Sequence, residues 1–112
     1  MKALVYTATE EVKYKNTSIP EPQKGESRIK IEAVGICGSD MHAYHGKDER
    51  RVPPLILGHE AAGVVVSGEN AGQNVVLNPL ITCSTCKDCL SGRTNLCAVS
   101  YTHLTLPTIL LV

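Results

Sequence analysis

Four cysteines within fifteen residues constrain this chain more than any other feature. They recur as C-x2-C-x2-C-x7-C, from Cys83 through Cys86 and Cys89 to Cys97. A two-residue gap lets neighbouring thiolates turn toward one point, and the longer loop returns the fourth to close a tetrahedron. Zinc takes four ligands in that geometry with no position left for water, so such a site holds structure and performs no chemistry. Two other chemistries use cysteines this close together. An iron–sulfur cluster shares the opening of the run, but the seven-residue gap and the missing Cys-Pro depart from the ferredoxin pattern. A disulfide pair needs an oxidising compartment. Met1-Lys2-Ala3-Leu4-Val5 opens directly into a strand-like pattern with no signal peptide ahead of it, so the expected compartment is the cytoplasm. A structural zinc lobe over 83–97 is the leading expectation.

The rest of the chain has to form a core from a limited set of side chains. Phe and Trp are absent and Tyr is the only aromatic, so Val, Ile, Leu and Ala must fill the interior. At 112 residues there is room for one small domain. Nine glycines and six prolines cut the chain into short segments, which favours a mostly β fold over a helical bundle. Eleven basic residues balance eleven acidic ones, without the basic excess expected of a nucleic-acid partner. No apolar run reaches eighteen residues, so no membrane span is expected.

Residues 2–7 and 11–15 read as a hairpin turning near Thr9-Glu10, with Val12 and Tyr14 on one face. Ile19-Pro20-Glu21-Pro22 cannot continue a ladder, because proline has no N–H to donate. Residues 28–34 alternate as a strand, with Ile29, Ile31 and Ala33 expected inward. Gly35 to Asp40 should end it and open a short helix through His42 and Tyr44, capped by Ser39 or Asp40. Ala61 to Ser67 reads as a buried strand, residues 67–72 as a turn, and Asn74 to Leu77 as another short strand. Pro79 opens the loop that carries the four thiols.

A second group of metal-ligating residue types stands apart from the lobe: Cys37 with Asp40, His42 and His45 nearby, then His59 and Glu60. Cys, His and a carboxylate are the ligand types of a catalytic zinc, which keeps one position open. Singly, each has a plainer account: Cys37 as a small buried hydrophobe, His59 beside Glu60 as a surface pair. Spacing alone does not join Cys37 to His59.

What joins them is a resemblance. Gly-Ile-Cys37-Gly-Ser39-Asp40-Met-His42, then Leu-Gly58-His59-Glu60-Ala-Ala-Gly63, then the four-thiol lobe, follow one another as in the medium-chain zinc-dependent alcohol dehydrogenases. The wording around them is similar to the polyol (sorbitol-like) and threonine dehydrogenase branches. The resemblance spans residues 1 to about 98. It implies part of a GroES-like β-barrel catalytic domain that includes the zinc lobe. It implies Cys37 and His59 as catalytic zinc ligands, with Glu60 as the carboxylate that approaches the metal. It implies Asp40 as the carboxylate orienting the imidazole, Ser39 as the hydroxyl that takes the alcohol proton, and His42 as the relay that passes it outward. Cys83, Cys86, Cys89 and Cys97 match the structural zinc ligands. The implied reaction moves a hydride between a secondary alcohol or polyol and NAD or NADP. The implied assembly is a homo-oligomer.

The chain also departs from that family. No G-x-G-x-x-G follows a strand, so no Rossmann dinucleotide fold can be assigned within it. A further catalytic ligand is expected beyond the lobe, and the stretch from Gly63 to Cys83 is short. The chain is therefore expected to be an N-terminal piece, inactive by itself. Residues 99–112 resemble a transposase-type sequencing-library adapter translated in one frame, and are expected to be an assembly artefact; the rival account is a genuine apolar C-terminal strand. Two other functions compete with the dehydrogenase: a small zinc-stapled binding module without catalysis, and a chaperonin-like barrel with no chemistry.

Overall fold

The computed structural model describes residues 1–102 with 105 and 106, giving 101, 102, 105 and 106 by their backbone alone. In chain order these residues form β1 (Lys2–Ala8), β2 (Glu11–Asn16), β3 (Arg28–Gly35), α1 (Gly38–Tyr44), β4 (Ile56–Leu57), β5 (Glu60–Ser67), β6 (Asn74–Val76), β7 (Leu80–Ile81), α2 (Lys87–Leu90), a 3-10 helix (Thr94–Leu96), β8 (Tyr101–Thr102) and β9 (Thr105–Leu106).

β1 and β2 form the expected antiparallel hairpin, with Leu4 opposite Tyr14 and Tyr6 opposite Val12. It turns at Glu10, which takes φ 61°. Val5 and Tyr6 are buried, whereas β2 is exposed along its whole length. The Tyr6 N–H donates to the Leu55 carbonyl at 2.8 Å and the Leu55 N–H donates back at 3.1 Å, which ties the hairpin to the segment entering β4.

The sheet that positions the candidate site has the order β3-β5-β6. β5 is central, and Ala61, Gly63 and Val65 are buried in alternation along it. Ile29 and Ile31 of β3 pack against Ala61 and Leu77, as their spacing predicts. Ala33 does not point inward. The register slips between Ile31 and Ala33, and a one-residue bulge ends the alternation, leaving residues 32–35 exposed. At Gly63 β5 approaches β3 so closely that a Cβ would lie 2.1 Å from the Lys30 carbonyl oxygen. β5 and β6 pair from Ala62↔Val76 to Val64↔Asn74 across the expected turn.

Four small sheets result, and among the described residues none closes on itself. The architecture is mostly β and open. Its radius of gyration is 15.1 Å, against about 13 Å for a compact chain of this length. Large apolar side chains such as Ile36 and Val76 remain more than four-fifths exposed. β4 pairs with β9 and β7 with β8, so part of the 99–112 segment supplies two short strands. His103 and residues 107–112 lie outside the described residues. Among the described residues no helix is long and apolar enough to cross a membrane.

Candidate metal centres

The four-thiol loop hangs between β7 and β8. Cys83 lies just after β7, and Cys86 caps α2, its sulfur accepting the Cys89 N–H at 3.5 Å. Cys89 lies within α2, and Cys97 ends the 3-10 helix. These turns bring all four sulfurs within 4.8 Å of one another. Cys83 and Cys89 are 3.9 Å apart, Cys83 and Cys97 3.6 Å. A tetrahedron with Zn–S bonds of about 2.3 Å has S···S edges of about 3.8 Å, so the cage has the size of one zinc ion. A disulfide would need about 2.05 Å, and all four thiols are free. The bridging sulfides of a cluster would hold its cysteines farther apart.

Backbone amides point at this cage. The Cys86 N–H donates to Cys83 Sγ at 3.3 Å, and the Cys83 N–H donates to Cys97 Sγ at 3.5 Å. The Thr85 N–H and then the Thr85 hydroxyl hold Cys83 down at about 6. Cys89 is pushed up to about 11, first by desolvation and then by the Cys86 and Cys97 sulfurs beside it. Four sulfurs with no nitrogen or oxygen donor fit a closed, structural zinc site.

The second centre forms where the β3–β5 ladder ends. Gly35 pairs with Glu60 at its last rung. Cys37 lies two residues beyond one strand and His59 one residue before the other, so the two become neighbours. Donor atoms of Cys37, His59 and Glu60 all lie within 4.8 Å of one another. Room for the Glu60 carboxylate comes from Gly35, where a Cβ would meet Glu60 Oε2 at 2.7 Å. His59 is buried and Glu60 exposed.

The helix cap is Cys37, not Ser39 or Asp40. Asp40 instead caps from within the first turn, its Oδ2 accepting the Cys37 N–H at 3.0 Å. Its other oxygen lies 3.5 Å from His59 Nδ1. One buried carboxylate thus touches the backbone of one candidate ligand and faces the ring of another. Two buried polar atoms here, His59 Nδ1 and Ser39 Oγ, lack a hydrogen-bond partner among the described residues. With Nδ1 turned toward Asp40, Nε2 is the nitrogen left for a metal. A Cys–His–carboxylate donor set fits zinc with a position to spare.

Ser39 and His42 meet at an open depression of about 650 Å³ that Lys47, Asp48 and Arg51 also line. Cys37, His59 and Glu60 are not among its lining residues. His42 is exposed. His45 faces away, its Nδ1 2.9 Å from Glu10 Oε1 on the hairpin. Sequence reasoning missed Arg51, whose guanidinium is buried among Asp40, Asp48 and the Ser39 carbonyl. In Lys47-Asp-Glu-Arg-Arg51 the charges read as a solvated run, and nothing in the pattern marks the last arginine as interior. Hydrogen bonds from Arg50 first, then from Arg51, hold the Asp48 carboxyl below the usual carboxylate range.

Residues 23–108 match the alcohol dehydrogenase GroES-like domain. L-Galactonate-5-dehydrogenase of Escherichia coli (strain K12) is 41% identical over 103 residues, covering 87% of this chain and 30% of its own length. Sorbitol dehydrogenase of Bacillus subtilis (strain 168) is 42% identical over 106 residues, with the same coverage. The crystal structure of the alcohol dehydrogenase RspB from E. coli CFT073, complexed with NADH, superposes with a TM-score of 0.73 at 32% identity. That match covers 91% of this chain and 31% of RspB. The chain therefore spans about a third of the length of the relatives it matches.

Proposed function

The chain belongs to the alcohol dehydrogenase GroES-like domain family, and from that we propose that it forms the zinc-holding catalytic part of an oxidoreductase. The reaction is hydride transfer between a secondary alcohol or polyol and a nicotinamide coenzyme bound outside these 112 residues. The observation that carries this reading is the Cys37–His59–Glu60 cluster, with donor atoms within 4.8 Å, together with a buried Ser39 hydroxyl, two residues on from Cys37, that has no hydrogen-bond partner among the described residues. Relatives named for L-galactonate and sorbitol support a polyhydroxylated substrate. The NADH in the RspB structure supports the coenzyme class.

Cys37, His59 and Glu60 would hold the catalytic zinc, which supplies a Lewis acid that favours the ionised form of a substrate hydroxyl. The remaining steps fall to side chains of this chain. Asp40, with Oδ1 3.5 Å from Nδ1, would orient the imidazole of His59. The Ser39 hydroxyl would take the proton that the substrate hydroxyl gives up while passing its own on toward His42, which lines the same depression. His42, exposed at the rim of the same depression, passes the proton to solvent. The four-thiol lobe takes no part in the chemistry and holds its loop in shape.

Zinc analysis of the purified, desalted chain tests this. The reading expects two ions per chain, and one in either Cys37→Ser or His59→Ala. A zinc-stapled binding module needs only the lobe, so one zinc in the unmodified chain would refute the catalytic reading.

A further inference from the structure

Resting on that reading, we propose that Arg51 is the positioning residue of the second metal centre, locking the carboxylate that bridges its Cys37 and His59 arms. Arg51 is 4% exposed. Its Nη1 donates to Asp40 Oδ1 at 3.2 Å, its Nη2 to the Ser39 carbonyl at 2.6 Å, and its Nε to Asp48 Oδ2 at 2.9 Å. Three acceptors in three directions match a planar fork, and a point charge on a flexible stem cannot meet all of them at once.

Two of those acceptors belong to the site. Asp40 Oδ1 accepts from Arg51 Nη1 and lies 3.5 Å from His59 Nδ1, and Oδ2 accepts the Cys37 N–H. Without Arg51, the Cys37 N–H at Oδ2 is the one hydrogen bond left to this carboxylate among the described residues, and the Oδ1 that faces the imidazole of His59 loses its anchor. The contact to the Ser39 carbonyl likewise fixes the turn of α1 that carries the Ser39 hydroxyl. The third acceptor, Asp48, anchors the arginine from the far side and is itself clamped by Arg50. Among the described residues Arg51 makes no hydrogen bond or ion pair with the three candidate ligands and acts on them through Asp40. Groups that orient metal ligands in this way set metal affinity over about a ten- to hundredfold range.

The test compares the 112-residue chain with Arg51→Met, Arg51→Lys, Asp40→Asn and the Asp40→Asn/Arg51→Met pair. Zinc affinity of each centre is measured by chelator competition, and the cobalt-loaded forms are followed by absorption spectroscopy. Arg51→Met should weaken zinc at the Cys37–His59–Glu60 centre about ten- to a hundredfold and change its cobalt ligand-field bands. The tetrathiolate bands of the lobe should stay as they are. Arg51→Lys should recover part of the loss. Because Arg51 acts through Asp40, the double variant should bind no more weakly than Asp40→Asn alone. Unchanged or tighter zinc in Arg51→Met, or additive losses in the double variant, would overturn the proposal while leaving the two-zinc reading intact. A single zinc in the unmodified chain would overturn both. Should Arg51→Met lose both centres, Arg51→Lys decides: selective weakening of the second centre supports the proposal, and any other result overturns it.

Discussion

Replacing Gly63 by alanine should destabilise the β3–β5 pair far more than one methyl group suggests. The added Cβ would lie 2.1 Å from the Lys30 carbonyl oxygen and 2.9 Å from its carbonyl carbon, both backbone atoms that cannot swing aside. Relief requires the strands to part locally by about 1 Å, which stretches ladder hydrogen bonds of about 2.9 Å well past their useful range. Each net bond is worth about 1 kcal/mol, and a buried group left unpaired costs about 1–3 kcal/mol. Alanine returns about 0.4–1 kcal/mol by restricting the unfolded chain. The expected net loss is about 2–4 kcal/mol, a large share of the 5–15 kcal/mol typical of a whole domain. Urea unfolding of the zinc-loaded chain, followed by far-ultraviolet circular dichroism, measures it. β5 begins at Glu60, directly after His59, so the same change should loosen zinc at the second centre and leave the lobe loaded. A loss of under about 0.5 kcal/mol, the range of an ordinary surface substitution, would refute the claim that close backbone approach at Gly63 holds this sheet.

Three further outcomes follow from the geometry. Cys86→Ser removes a cage sulfur while leaving a hydroxyl able to cap α2, so the lobe zinc should be lost and hydrogen exchange over residues 86–97 should become fast through loss of the metal, with the second centre still loaded. In the metal-free chain at pH 7, mass-resolved alkylation should find Cys83 more reactive than Cys89, since one sits at about 6 and the other at about 11; zinc should suppress both. Asp48 has its folded pKa lowered by Arg50 and Arg51, so its stabilisation is complete above the unfolded value of about 3.9 and is lost as pH falls below it. The stability gap between the parent and Asp48→Asn should therefore stay constant above about pH 5 and close on acidification below about pH 4 in denaturant titrations.

How legible each feature is in the sequence follows from how local its cause is. The lobe is legible because its ligands lie within fifteen residues and short turns alone can gather them. The β1–β2 hairpin is legible because alternation and a turn at Glu10 are both local. Ala33 is misread because one extra residue in the ladder ends the alternation and leaves residues 32–35 exposed, and a bulge leaves no mark in the pattern. α2 and β7, four and two residues long, are too short to show any period. The cap at Cys37 is missed because cysteine is not a usual cap, and Asp40 does the capping from inside the helix. The second centre depends on register. The motifs name Cys37, His59 and Glu60 by resemblance, but their meeting is a consequence of Gly35 pairing with Glu60 at the end of a ladder. Arg51 depends on still more, because a guanidinium is stable inside only when Asp40, Asp48 and the Ser39 carbonyl have already converged there. The two centres are thus encoded differently. The lobe carries its own fold in the metal it binds, whereas the second centre needs the sheet to be in place before its ligands can meet. A disturbance of the sheet should therefore empty the second centre first, and loss of lobe zinc need not disturb the β3–β5 register.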